Sequence, residues 1–200
     1  MSSWINNGRT IGYSIAGSGT PILAIHGTTQ AANAWTQVQQ ACLADLQWVT
    51  FELPGSGESD MPTGPIELDE VVSDAVALMS HLGHQRFHVI GYSLGAVTAL
   101  RCAALFPDSV ITVTSLCGWS RSDARMRMTF DLWRRLIAID PELFMRYALA
   151  DGYTAASLEM LEPMIEAVVG MASAAVQPGS EAQLELDIRI DIEGSLVLIK

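Results

Sequence analysis

Residues 87–96 read Phe-His-Val-Ile-Gly-Tyr-Ser-Leu-Gly-Ala, and no other stretch restricts the fold as tightly. A β-branched run ends at Gly91, and a helix-forming stretch of Ala, Leu, Val and Thr begins just past Ser93. Joining the two takes a sharp, strained turn, and neighbours two positions away that lack side chains let strand and helix cross closely. Gly91 and Gly95 occupy those positions. The helix that starts there aims free N–H groups and the positive end of its dipole at the same point. A hydroxyl raised on such a bend is placed to attack a carbonyl, which makes Ser93 the candidate nucleophile. The N–H of Leu94 is then a candidate donor to the oxyanion that the attack creates.

The segments around this turn alternate strand and helix. Trp4-Ile5 lead through the turn signal Asn6-Asn7-Gly8 to a return strand, Thr10 to Ala16. Pro21 to Ile25 is a short, wholly apolar strand of the kind buried on both faces. A helix is expected over Ala34 to Ala44, a strand over Gln47 to Phe51, and a helix over Leu68 to Leu82 with Val71, Val72, Ala75, Val76, Met79 and Leu82 on one face. The strand Phe87 to Ile90, a helix from Leu94 to Phe106 and the strand Val110 to Leu116 follow. This order predicts an α/β fold, a mostly parallel sheet with helices on both faces.

From Ser120 to Ile190 four helical stretches succeed one another, Arg125 to Ile139, Pro141 to Leu149, Ala155 to Val176 and Ser180 to Ile188, broken at Pro141, Gly152, Pro163 and Pro178. Inserted between two strands they would form a lid. Its methionines, Met126, Met128, Met145, Met160, Met164 and Met171, suit an adaptable apolar pocket or plain helix packing. Ser195 to Ile199 reads as a further apolar strand. The expected organisation is therefore residues 1–119 as core, 120–190 as lid and 191–200 as a returning core strand.

Composition narrows the function. Half the residues are apolar and 16% charged, as in a globular domain. Formal net charge is −11, a surface that repels phosphate backbones, so nucleic acid is excluded as a partner. Apolar runs such as Ala167 to Ala172 are too short to span a bilayer, and the first residues lack the pattern of a secretory signal, so a cytoplasmic protein without membrane contact is expected. Cys42, Cys102 and Cys117 are far apart and match no metal or disulfide pattern. The expected partner is a small-molecule substrate.

A second oxyanion donor should come from the loop His26-Gly27-Thr28-Thr29 after the third strand. Thr28 N–H is the candidate, and its neighbour Thr29 the alternative. Tyr92 and Trp119, flanking the ends of their strands, are candidates for lining an acyl pocket or for packing.

With these residues in view, the chain resembles the α/β-hydrolases of the lactonase, esterase and cofactor-free haloperoxidase group. The matching residues are His26-Gly27 with Trp35 downstream, Glu52-Leu53-Pro54-Gly55-Ser56-Gly57-Glu58-Ser59, and Gly91-Tyr92-Ser93-Leu94-Gly95. The family usually has Asp where Glu52 stands. Asp123 to Phe144 resembles the lid of 3-oxoadipate enol-lactonase-like members. The resemblance implies a serine hydrolase of a small ester, lactone or thioester with no cofactor and no metal. A haloperoxidase or C–C hydrolase would use the same triad, and a binding protein on the same scaffold is the non-enzymatic alternative.

The family's order is Ser, then an acid, then His. Ser195 to Ile199 matches the strand before the acid, so the resemblance implies that the triad acid and His are not in this chain and that the sheet is incomplete at its C-terminal end. A truncated stretch of a longer hydrolase, a second segment or swapped homo-oligomer that completes the sheet, or a degenerate binding relative would each account for this. Among residues present, His26 is expected to hold backbone and His88 to be a core residue. His81 and His84 lie at the wrong end of the sheet. Asp123 stands where some members carry the acid, and Glu52 to Asp60 is expected to pack under the site.

Overall fold

A computed structural model describes residues 1–42 and 45–199. Six strands form one sheet: β1 (Ser2–Asn6), β2 (Arg9–Gly17), β3 (Thr20–Ile25), β4 (Leu46–Phe51), β5 (Phe87–Tyr92) and β6 (Val110–Leu116), in the order β1-β2-β4-β3-β5-β6. β1 and β2 form an antiparallel hairpin, β2 pairs antiparallel with β4, and β4, β3, β5 and β6 are parallel. Ile25 of β3 stands opposite Gly91 of β5, so both strands end at the same rim.

Burial on both faces explains the apolar runs. Leu23, Ile25, Val49, Phe51, Phe87 and Val89 point into the main core, with Val71, Val72, Ala75, Leu78 and Met79 of α2 (Leu68–His81) and Val97, Ala99 and Cys102 of α3 (Leu94–Leu105). The intervening residues Ala24 and Trp48 face a second cluster containing Trp35, which lies on a 3-10 turn (Ala32–Trp35) leading into α1 (Thr36–Ala41). Period-two alternation therefore gives each face of the sheet its own cover. The expected helix Ala34 to Ala44 is thus split into two short turns, and its final residue, Ala44, lies outside the described residues.

The segment expected to form a lid comprises α4 (Ala124–Ile139), α5 (Pro141–Gly152), α6 (Ala155–Leu161), α7 (Ile165–Ala174) and α8 (Ser180–Arg189). Side-chain caps start three of them: Asp123, Asp140 and Thr154 accept from the N–H of Met126, Glu142 and Ser157. The helical stretch Ala155 to Val176 is interrupted, as Pro163 predicts, by a 3-10 turn, Glu162–Met164, in which the proline has no N–H to continue the ladder. A run of aromatic rings, Trp119, Phe130, Trp133 and Phe144, spaced 5.4 to 5.6 Å between centroids, ties β6's end to α4 and α5. Met128, Met160, Met164 and Met171 face outward. At the lid's neck, Ser122 N–H donates to Ile190 O at 2.9 Å and Ile192 N–H to Ser120 O at 2.7 Å, a two-bond antiparallel bridge.

Beyond the neck the expected strand does not form. Residues Glu193–Leu198 make a 3-10 helix packed against α3, in which Ser195 Oγ donates to Ile192 O at 2.7 Å. The bridge pairs Arg121 with Asp191, and residues 193–198 beyond it are helical where a core strand is expected. A short apolar run does not distinguish strand from helix by periodicity, and β6 leaves its outer edge uncovered among the described residues. Val197 is 84% exposed and Leu23 0%. In urea unfolding, Leu23→Ala should cost about 2–5 kcal/mol, and Val197→Ala no more than about 0.5 kcal/mol; a large loss at Val197 would argue for a buried strand instead.

Candidate active site

Ser93 sits between β5 and α3 with φ 55° and ψ −120°, the left-handed side of backbone space that costs a non-glycine residue about 1–3 kcal/mol. Three hydrogen bonds hold it there. Ser93 N–H donates to Leu116 O at 2.9 Å, and Ser93 O accepts from the N–H of Ala96 and Val97 at 2.9 and 3.2 Å. The glycines permit the geometry by close approach: a Cβ on Gly91 would run into the carbonyl of Gly95, and one on Gly95 into those of Ile25 and His26. The Ser93 hydroxyl does not cap α3 and has no hydrogen-bond partner among the described residues, and the residue is half-buried.

The loop after β3 lies against this turn. A Cβ on Gly27 would stand 3.0 Å from Ser93 Cβ and 3.0 Å from the Tyr92 ring. Gly27 N–H donates to Gln30 Oε1 at 3.0 Å, Thr29 N–H to Gln183 Oε1 at 3.1 Å, Gln30 N–H to Gly27 O at 3.2 Å and Ala32 N–H to Glu52 Oε1 at 3.1 Å. Thr28 and Ala31 keep N–H groups with no acceptor among the described residues, as does Leu94 at the start of α3. Of the two neighbouring candidates in the loop, Thr29 is therefore the one already engaged, and it too has positive φ, 69°.

His26 is fully buried and holds backbone on two sides. Its Nε2 accepts Leu53 N–H at 3.1 Å, which leaves the ring proton on Nδ1 for Gly27 O at 2.8 Å. Glu52 Oε2, 3.4 Å from that Nε2, faces an acceptor and so is not its ion-pair partner. The other histidines are also engaged or distant: His81 stacks on Trp4 at 4.5 Å, His88 Nδ1 meets Thr112 Oγ1 at 2.7 Å across β5 and β6, and His84 lies in the loop after α2. Asp123 is used as the α4 cap. Tyr92 is 40% exposed beside Ser93, its phenol pushed above the usual range by burial and then by Cys117 and Tyr153. Trp119 packs on the main core, with Nε1 donating to Ser122 Oγ at 2.9 Å.

Two buried residues of α8 reach this loop and were not singled out from the sequence. Gln183 accepts from Thr29 and donates through Nε2 to Pro54 O at 3.0 Å and Ser56 Oγ at 2.9 Å. Asp187 Oδ2 accepts the Thr28 hydroxyl at 2.6 Å, while its Oδ1 has no partner among the described residues. Their only sequence signal is the i, i+4 spacing on a helix, which solvent-facing polar pairs share. Burial raises the Asp187 carboxyl to about 8, against which the Thr28 hydrogen bond works.

No group of three or more His, Cys, Asp or Glu is placed to hold a metal among the described residues, and no helix is long and apolar enough to cross a membrane. A cavity of about 540 Å³ opens between the first hairpin, the loop around Asp60 to Glu67 and α2; Ser93 is not among its lining residues.

The family model described as alpha/beta hydrolase fold matches residues 20–162. RutD of Azorhizobium caulinodans, provisionally named a carbamate hydrolase, is 31% identical over 135 residues, 67% of this chain and 51% of that one. Pyrrolizixenacetamide deacetylase of Xenorhabdus hominickii is 27% identical over 91% of this chain and 70% of its own length. Among solved structures, the enol-lactonase from Burkholderia xenovorans LB400 superposes with TM-score 0.79 at 20% identity, over 100% of this chain and 78% of that one. The chain spans 51%, 70% and 29% of the length of the first three curated relatives.

Asp187 sets a pH signature. Its folded pKa, about 8, exceeds the ordinary 3.8, so between those values the folded protein holds a proton that the unfolded chain has released. Stability from this group is fully present below pH ~4 and lost as pH rises to ~8. Asp69, whose carboxyl is lowered by its Arg101 hydrogen bonds, acts oppositely at acid pH. Comparing urea midpoints isolates the effect: Asp187→Asn should gain on the unsubstituted protein by about 1 kcal/mol per unit from pH 5 to 8. A constant difference would place the carboxyl in a wetter setting.

Proposed function

This chain belongs to the alpha/beta hydrolase fold family, and we propose that it is the nucleophile-bearing part of a serine hydrolase acting on a small carboxylic ester, lactone or thioester. The observation that carries this reading is the hydroxyl of the half-buried Ser93, without a hydrogen-bond partner among the described residues, on a strained bend beside the loop bearing Thr28 and directly before Leu94. An isolated hydroxyl held at a backbone cost is preorganised for attack.

In this reading Ser93 Oγ adds to the acyl carbonyl while its proton passes to a general base. The carbonyl oxygen becomes an oxyanion held by the N–H groups of Thr28 and Leu94. Collapse of the tetrahedral intermediate expels the alcohol or thiol, which takes the proton from the base. Water then repeats the sequence on the acyl-serine, releasing the acid and restoring the hydroxyl. For a lactone the leaving alcohol stays attached to the acyl group. The engaged states of His26 and His88 and the use of Asp123 as a cap argue that base and acid come from polypeptide outside these 200 residues. Names among the relatives, a carbamate hydrolase and a deacetylase, support acyl transfer without selecting the acyl group. Tyr92, exposed beside the nucleophile, is the nearest candidate to line its pocket.

Treating the natural gene product with an alkyl fluorophosphonate and weighing it tests the reading. One adduct per chain, mapped to Ser93 and absent in Ser93→Ala, is expected. Ligand binding with neither labelling nor turnover would instead identify a binding protein.

A further inference from the structure

A polar contact joins the loops after β3 and β4 to α8 and the segment before it, and neither the strained turn nor the aromatic packing requires it. Gln183 and Asp187 lie one turn apart on α8 and both are 0% exposed. Gln183 uses its amide at both ends, accepting Thr29 N–H and donating to Pro54 O and Ser56 Oγ. Asp187 takes the Thr28 hydroxyl. The segment just before α8 adds two backbone bonds: Gln177 N–H donates to Thr29 O at 3.3 Å and Gly179 N–H to Gly55 O at 2.8 Å. Gly179 and Gly55 meet so closely that a Cβ on Gly179 would stand 2.6 Å from Gly55 Cα.

Thr28 and Thr29 offer two adjacent amides to the same region, and a loop free to rotate its peptide planes could present either one or neither. A polar N–H away from solvent needs a partner, so the residue that accepts Thr29 N–H decides which amide is spent.

We propose that Gln183 and Asp187 are positioning residues for the oxyanion-binding loop: by taking the Thr29 amide and the Thr28 hydroxyl from the lid side, they leave the Thr28 amide as the loop's donor to substrate. The proposal rests on the reading of Ser93 as a nucleophile. Neither residue touches the reacting atoms; each acts through Thr28 or Thr29. The helix α8 thereby contributes to transition-state stabilisation, and its displacement lowers reactivity without altering Ser93.

The test compares labelling rates with an alkyl fluorophosphonate and with its P=S analogue, using the natural gene product. The phosphoryl oxygen occupies the position of the oxyanion and depends on the amide donors more than sulfur does. Gln183→Leu should slow the P=O reagent about tenfold or more and the P=S reagent much less, so the ratio of the two rates falls. Simple loss of stability would slow both together and leave the ratio fixed. Thr28→Val, which keeps the amide and the shape but removes the bond to Asp187, should lower the ratio in the same direction and guards against misfolding of the first variant. Unchanged ratios in folded variants would overturn the positioning role while leaving the serine hydrolase standing. Failure of both variants to fold would assign the residues to folding alone and overturn it too. No labelling of the unsubstituted protein would remove both readings.

Discussion

The contact between β5 and α3 governs this molecule. Strand and helix cross so closely that backbone lies on backbone: Gly91 against the carbonyl of Gly95, and Gly95 against those of Ile25 and His26 in β3's end. No side chain fits in that space, so the register of β3, β5 and α3 is set by the absence of atoms. The consequence is a serine with nowhere to go but outward, its φ driven to 55°. Strain of this kind persists only where the surroundings over-determine it, and here three backbone hydrogen bonds and a central helix buried along most of its length supply that determination.

Around this fixed point the neighbouring loops are held by buried side chains. His26 braces the start of one loop against Leu53, Glu52 holds Ala32, and Gln183 joins the Thr29 and Pro54 segments. Each is removed from water, so each bond is made in a low-dielectric setting where leaving a partner unpaired costs more than in solvent. Among the described residues two carboxyl oxygens, Glu52 Oε2 and Asp187 Oδ1, remain without hydrogen-bond partners. For Asp187 that exposes the group to the full effect of burial and explains why its proton is held to about pH 8.

Reading the sequence worked where the physics is local. The Gly-x-Ser-x-Gly turn, the alternation of strand and helix, the proline break at Pro163 and the backbone-holding role of His26 follow from neighbours within a few residues. It worked less well where distant chain decides. Ser195 to Ile199 has the composition of a strand, yet it folds as a 3-10 turn on α3, because whether an apolar pentapeptide extends depends on the edge it meets. Gln183 and Asp187 carry no local signal, since nothing in the sequence tells that positions 154 and 159 residues away in the chain take their polar atoms. Local rules place the nucleophile; long-range contacts arrange what surrounds it.

The paired neck at Ser120–Ser122 and Ile190–Ile192 makes the helical segment a detachable module in architectural terms. Its two ends meet within one hydrogen-bonded rung, so the stretch ahead of α8, whose Leu186 packs in the main core, can lengthen, shorten or be exchanged, as insertions at closely spaced termini generally can. One strut limits that freedom. Any replacement has to return through a helix that presents an acceptor to the Thr29 amide, and so the exchangeable portion runs from the neck to Val176, with α8 belonging functionally to the scaffold.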